Sequence, residues 1–159
     1  MTIGIYKLVA KDIMTTDIVT VHPQERVSDA LRLMTENRVP VLPVVDRDDR
    51  CVGVISQSDL VQLTRDADDD RDANSDTPFG LMPGRGDWDS VMDERLDGVM
   101  SDEVVTVSSG DLIVPVIVDR LIAQRIHHVP VVDDDGRLLG IVSTVDILRA
   151  LRSTVPQET

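Results

Sequence analysis

The chain carries almost the same phrase twice: "GVISQSDL" at 53–60 returns as "GIVSTVDI" at 140–147. Sliding the sequence from Gly53 to Gly140 also lays Ser56 on Ser143, Asp59 on Asp146, and "LPVVD" (42–46) on "VPVVD" (129–133). Nearer the start, "IMTTDIVTV" (13–21) lies on "VMSDEVVTV" (99–107) with a shift one residue smaller. The extra residue of the second copy therefore falls between Val107 and Leu121, and a loop or helix start absorbs one residue cheaply. Such a repeat limits the fold more than any local propensity does, because the unit has to pack on its own copy. Each copy is about sixty residues, where a single core is marginal, so the copies are expected to share their burial.

One template reads both copies. "DIVTV" (17–21) and "EVVTV" (103–107) are short β-rich runs. In "VSDALRLMTENR" (27–38), Val27, Ala30, Leu31 and Met34 recur at the spacing of one helical face. Its counterpart "DLIVPVIVDRLIAQR" (111–125) is more apolar; with Asp111 or a neighbour as N-cap, Pro115 falls in the first turn, where its missing N–H costs little. Then "VLPVVD" and "CVGVIS", or "HVPVVD" and "LLGIVS", are joined by the polar turns "RDDR" and "DDGR", which predicts a hairpin. A helix, "QSDLVQLTRD" or "TVDILRALRS", closes the unit. The fold class is mixed α/β (α+β), built as two β-α-β-β-α units.

Residues 65–96 repeat nothing. Their Asp-dense first part has no apolar period and is expected to be mobile. The second part, with Phe79, Leu81, Met82 and Trp88, is expected to fold back onto the body. The "GRG" of 84–86 has no Gly-Lys-Ser/Thr after it and no strand before it, so it reads as a turn and not a phosphate loop.

Composition narrows the function. With aromatics at 2%, the core must come from Val, Ile, Leu and Met. A formal charge of −13 argues against nucleic acid, which is bound by clustered Lys and Arg. Small anions stay open, because beyond ~8 Å at physiological salt local groups outweigh the global field. No run approaches the ~18–20 apolar residues of a membrane span, and "MTIGIYKLVAKD" lacks the pattern of a signal peptide. A cytoplasmic location, without membrane or nucleic-acid partners, is expected. The single Cys51 excludes an internal disulfide and reads as a packed thiol.

The doubled unit, with Met-Ser/Thr before its first strand, "PVVD" in the middle and Gly-apolar-apolar-Ser-x-x-Asp before its last helix, resembles the CBS domain pair, or Bateman module. The likeness covers residues 8–66 as one CBS domain and 94–153 as the other, with 67–93 as an insert. It implies units packed about a pseudo-two-fold axis, adenosine-type ligands in clefts between the repeats, and dimers shaped as flat discs. It also implies a stand-alone regulatory protein, with no catalytic residues, that signals to a protein partner. No nucleophile-base pair or metal-ligand set is visible in the sequence, so neither an enzyme nor a metal protein is expected.

Ser-x-x-Asp between a strand and a helix supports two readings. It is a capping box, worth ~0.5–2 kcal/mol per helix. The same helix start also favours an anion, and a carboxylate accepts a pair of ribose hydroxyls. The resemblance implies the second reading, with Ser56 and Ser143 serving phosphate and Asp59 and Asp146 the ribose. It further places an adenine slot around Ile18, Val104, Leu42 and Val129, with Ile55 and Val142 beneath the ribose.

The copies differ three residues before the middle proline, where the second has His127 and the first Pro40. The gamma subunit of the AMP-activated kinase, a member of the same family, has a phosphate-binding histidine at this offset, and His127 is matched to it. His128 alternates to the other face of the strand, so "HH" is a poor metal pair. The expectation is an asymmetric sensor with no obligatory cofactor: AMP, ADP or ATP beside His127, and a weaker site, or one suited to S-adenosylmethionine, beside Pro40. The alternative is a scaffold or dimerisation module with vestigial clefts.

Overall fold

The computed structural model describes residues 4–69, 85–101 and 103–154. Its helices and strands are α1 (Ala10–Ile13), α2 (Val27–Asn37), β1 (Val41–Val45), β2 (Cys51–Ser56), α3 (Gln57–Asp69), α4 (Arg85–Asp93), β3 (Val107–Ser108), α5 (Val118–Gln124), β4 (His128–Val132), β5 (Leu138–Ser143) and α6 (Thr144–Thr154). The hairpin strands, α2 and the closing helices α3 and α6 stand where the sequence reading put them. The initial strands are shorter than expected: one shrinks to a parallel bridge between Val21 and Val44, and the other is β3, parallel to β4. β1 and β2 form a two-stranded sheet, and the other sheet runs β3-β4-β5.

In α2 the apolar face buries Val27, Ala30 and Met34, while Leu31 rides at its edge, 38% exposed. The helix ends on Arg38 in the left-handed region (φ 54°), and α5 ends on its counterpart Arg125 (φ 53°). The second copy departs from its template before α5. Asp111 is not a cap of that helix; its carboxylate accepts the Ser108 N–H at 2.9 Å. Residues Ile113–Ile117 form a wide turn, with Val114 extended and a cis Val114–Pro115 bond, so Pro115 precedes the regular helix instead of opening it.

That turn holds the extra residue. The antiparallel bridges Arg26↔Arg95 and Val9↔Leu112 are equivalent at the smaller shift, whereas the caps Arg38 and Arg125 obey the larger one. Between them, the N–H groups of Ile117 and Val118 reach back five residues, to Leu112 and Ile113. A turn one residue wider than an α-helical one takes up a single insertion without disturbing the helix after it.

The compact units cut across the repeats. One comprises residues 4–18, 45–52 and 103–154; the other comprises 19–44, 53–69 and 85–101. In the first, the Ala10 N–H donates to Asp111 O and the Ile113 N–H to Leu8 O, both at 2.9 Å. This fastens the chain's first segment to the second copy, over a core that includes Ile113, Ile117, Val129, Val131 and Val142. The tip of the first hairpin joins this unit too: the Cys51 N–H donates to Gly136 O at 3.0 Å and the Leu138 N–H to Asp49 O at 2.9 Å. In the other unit the Val27 N–H donates to Glu94 O and the Leu96 N–H to Glu25 O, both at 2.9 Å, around a core that includes Met34, Leu42, Ile55 and Leu96. Each repeat thus lends the segment before its first strand to the unit built mainly by the other.

The same exchange explains the glycine of the repeated octapeptide. A Cβ on Gly53 would lie 2.7 Å from Met100 Sδ, and one on Gly140 2.6 Å from Met14 Sδ. Met14 and Met100 each lie against the glycine of the opposite repeat's last strand, where any added Cβ forces a neighbour to shift.

The insert is more regular than expected. α3 continues to Asp69, and "GRG" is not a plain turn, since Arg85 and Gly86 open α4. α4 packs against α2 and α3, burying Val91 and half-burying Trp88. Phe79, Leu81, Met82 and the Asp-dense stretch from residue 70 lie outside the described residues. Among the described residues, no helix is long and apolar enough to cross a membrane.

Candidate ligand site

Each Ser-x-x-Asp sits at a strand-to-helix junction pinned from behind. The Gln57 N–H donates to Pro40 O at 3.0 Å, and in the second copy the Thr144 N–H donates to His127 O at 2.9 Å. The serine and aspartate then close on each other. In the second copy, Asp146 Oδ2 accepts the Ser143 N–H at 2.8 Å and the Ser143 hydroxyl at 2.9 Å, while Ser143 Oγ accepts the Asp146 N–H at 3.1 Å. In the first, Asp59 Oδ2 accepts the Ser56 N–H and hydroxyl, both at 2.7 Å, and Ser56 Oγ accepts the Asp59 N–H at 3.2 Å. Both motifs are formed capping boxes, each spending a single carboxylate oxygen.

The two boxes differ in setting. Asp59 is exposed, whereas the Asp146 side chain is only 12% exposed. Asp146 forms part of the wall of a cavity of about 500 Å³, within the size range of small-molecule sites. The chain's first segment also lines it, contributing Asp12 and Thr15 with apolar Leu8 and Ile13. Farther along α6 come Arg149, Ala150 and Ser153. Thr15 is fixed there as a strand-like neighbour of β5: its N–H donates to Ile141 O at 2.9 Å and its carbonyl accepts the Ile141 N–H at 3.0 Å. The charges on the wall are mixed. The Asp12 carboxylate accepts the Val9 N–H at 2.9 Å, and Arg149 Nη1 lies 3.5 Å from Asp146 Oδ1. Sequence reasoning missed Asp12, Thr15 and Arg149. Arg149 was signalled by its place one helical turn beyond Asp146; the other two reach the cavity only through the segment exchange.

The apolar residues assigned to an adenine slot divide. Ile18 and Val104 are half-buried. Leu42, Ile55, Val129 and Val142 are each 0% exposed, so in this conformation they are core and offer an adenine no surface. Strand alternation is the reason: Val129 and Val142 face each other in the β4–β5 register with their side chains in the core, and the adjacent pair His128 and Ser143 lies on the opposite face.

That register also places the histidines. The residue at 127 is exposed, with its carbonyl held by the start of α6. It is His128, which alternates away from His127 along the strand, that shares a face with Ser143. Burial, and then the neighbouring His127, push the His128 pKa below its usual value, and Asp146 pulls weakly the other way. A histidine that resists protonation only when folded destabilises the fold once the unfolded chain begins to protonate. Stability should therefore fall as pH drops below about 6.5 toward the lowered folded value, and stay level above it. His128→Gln is expected to flatten this portion of a melting-temperature profile between pH 7.5 and 5.5; an unchanged slope would contradict the assignment.

Comparison with known proteins agrees with this architecture. The chain matches the CBS domain over residues 10–66 and 96–153. It is 29% identical over 155 residues to the uncharacterized protein MJ1426 of Methanocaldococcus jannaschii, spanning 91% of both chains. It is 33% identical over 144 residues to the chloroplastic CBS domain-containing protein CBSX2 of Arabidopsis thaliana, covering 82% of this chain and 57% of that one. The crystal structure of CBSX2 in complex with AMP aligns at a TM-score of 0.69 and 26% identity, over 89% of this chain and 94% of that one. The CBS domain pair of protein MJ0100, solved with 5'-methylthioadenosine and S-adenosyl-L-methionine, gives 0.71 at 21% identity over 93% and 98%, a likeness of fold. Two family matches in tandem, on a chain whose repeated junctions and hairpins coincide with them, make this protein a member of the CBS domain family.

Proposed function

We propose that this chain is a regulatory CBS pair that binds an adenosine-type ligand and signals its presence to a protein partner. The observation that carries the reading is Asp146: nearly buried, on the wall of a cavity of nucleoside size, with one carboxylate oxygen outside its capping box. Ser143 and Asp146 would take phosphate and ribose there, with His127 as a phosphate contact; Ser56 and Asp59 would serve a second, more exposed site. The AMP complex of CBSX2 supports an adenine nucleotide as the ligand class. S-adenosylmethionine is the alternative for the first-copy site. Homodimerisation and a cytoplasmic location belong to the same proposal.

The test is a thermal-shift panel of AMP, ADP, ATP, adenosine and S-adenosylmethionine. A ligand at ~100 times its Kd adds ~2.7 kcal/mol, roughly 5–10 °C for a chain of this size. Asp146→Ala should abolish the shift. A flat panel at millimolar ligand would favour the second reading, a scaffold with vestigial clefts, for which the two closed Ser-Asp boxes speak. In that case Asp146→Ala and Asp59→Ala would each cost ~0.5–2 kcal/mol of stability and nothing else.

A further inference from the structure

Asp146 spends Oδ2 on Ser143, so only Oδ1 is left to accept a ribose hydroxyl, and Arg149 Nη1 stands 3.5 Å from it. The two partners are unequally placed: the Asp146 side chain is 12% exposed and that of Arg149 70%. The carboxylate is fixed, while the guanidinium reaches in from the solvent side and can re-aim at little cost. Among the described residues lining the cavity, Arg149 is the sole cation, against the carboxylates of Asp12 and Asp146. A ligand's anionic group would meet a net negative wall unless Arg149 turns to it. A neutral nucleoside has the opposite difficulty, since its ribose must take Oδ1 from Arg149 and offers the guanidinium no anion in return.

The first copy keeps the aspartate and changes the partner. Asp59 is the counterpart of Asp146, and Gln62 stands at the place of Arg149. A neutral amide cannot exchange one anion for another.

We propose that Arg149 is the specificity-determining residue of the second-copy site: it holds Asp146 until a ligand arrives and then passes to the ligand's phosphate or carboxylate, selecting anionic adenosine ligands over adenosine. The first-copy site, with Gln62, lacks this selection. The inference rests on the proposed adenosine-sensing reading and adds to it which half of the molecule reads charge, and with which atom.

The experiment is calorimetric titration of AMP and of adenosine into the full chain, comparing wild type with Arg149→Gln, Arg149→Lys and Gln62→Arg. Wild type should bind AMP about tenfold or more tighter than adenosine at one site, a preference that weakens as salt rises. Arg149→Gln should remove about tenfold from AMP affinity, leave adenosine equal or tighter, and flatten the salt dependence. Arg149→Lys should keep part of the preference, and Gln62→Arg should create one at the other site. Equal losses for AMP and adenosine in Arg149→Gln, or an unchanged ratio between them, would overturn the role of Arg149 while leaving the sensor reading intact. Binding of neither ligand to wild type would instead overturn the sensor reading, and this inference with it.

Discussion

Gly140→Val is expected to destabilise the folded chain by about 2–4 kcal/mol, lowering its denaturation midpoint in urea. The reason is the strand-like docking of the first segment onto β5. A Cβ at Gly140 would meet Met14 Sδ at 2.6 Å, Met14 Cγ at 2.8 Å and the backbone oxygen of Thr15 at 3.0 Å. A methionine can swing aside. The Thr15 carbonyl cannot, because it accepts the Ile141 N–H while the Thr15 N–H donates to Ile141 O. The matched substitution in the other copy provides the control. The three atoms nearest a Cβ at Gly53 all belong to the flexible Met100 side chain, with Sδ at 2.7 Å and Cγ at 3.3 Å, so Gly53→Ala should cost less than Gly140→Ala. The reverse order would mean that the Thr15 backbone is not the obstacle. Since Thr15 and Met14 belong to the segment that walls the cavity, Gly140→Val should also erase any ligand-induced thermal shift.

Leu96→Ala should cost about 2–5 kcal/mol, the usual range for emptying a fully buried leucine position. Leu96 is 0% exposed and sits at the centre of the segment that holds the chain after α4 on the start of α2. Around it the Leu96 N–H donates to Glu25 O, the Val27 N–H to Glu94 O, and the Met100 N–H to Leu96 O at 2.8 Å. Emptying that site loosens the segment that carries Met100 to Gly53. An ion pair at the same place makes the contrast. Arg26 Nη1 lies 2.6 Å from Asp93 Oδ1, but the two side chains are 55% and 72% exposed, so Arg26→Ala should cost under about 1 kcal/mol. If chemical denaturation gave the larger loss to Arg26→Ala, the segment would be held by charge and not by burial.

The capping geometry of the candidate site was legible because its signals are local. Ser56, Asp59, Ser143 and Asp146 form boxes at the junctions where a strand-ending Ser and an acid three residues later put them. Periodicity likewise gave α2 its buried Val27, Ala30 and Met34. The adenine-slot residues show where local reading stops. Leu42, Ile55, Val129 and Val142 are apolar strand positions, and apolarity alone does not tell a ligand wall from a core; for Val129 and Val142 it is the register that sends them inward. His128 shows a related limit: alternation separates it from His127, but only pairing with β5 shows that its face is the one bearing Ser143.

By itself, the sequence determined the repeat, the order of elements in each copy, the hairpins, and the chemistry at each helix start, since all of these depend on residues within a few positions of one another. The exchange of segments was decided in the tertiary structure, where Leu8 to Thr15 join the second copy and Glu94 to Met100 the first. A repeat aligned on itself looks the same whether its segments pack at home or on the other copy. What separates the two outcomes is contact over long stretches of chain: a methionine that lies against the other repeat's glycine, and free backbone groups that find partners there.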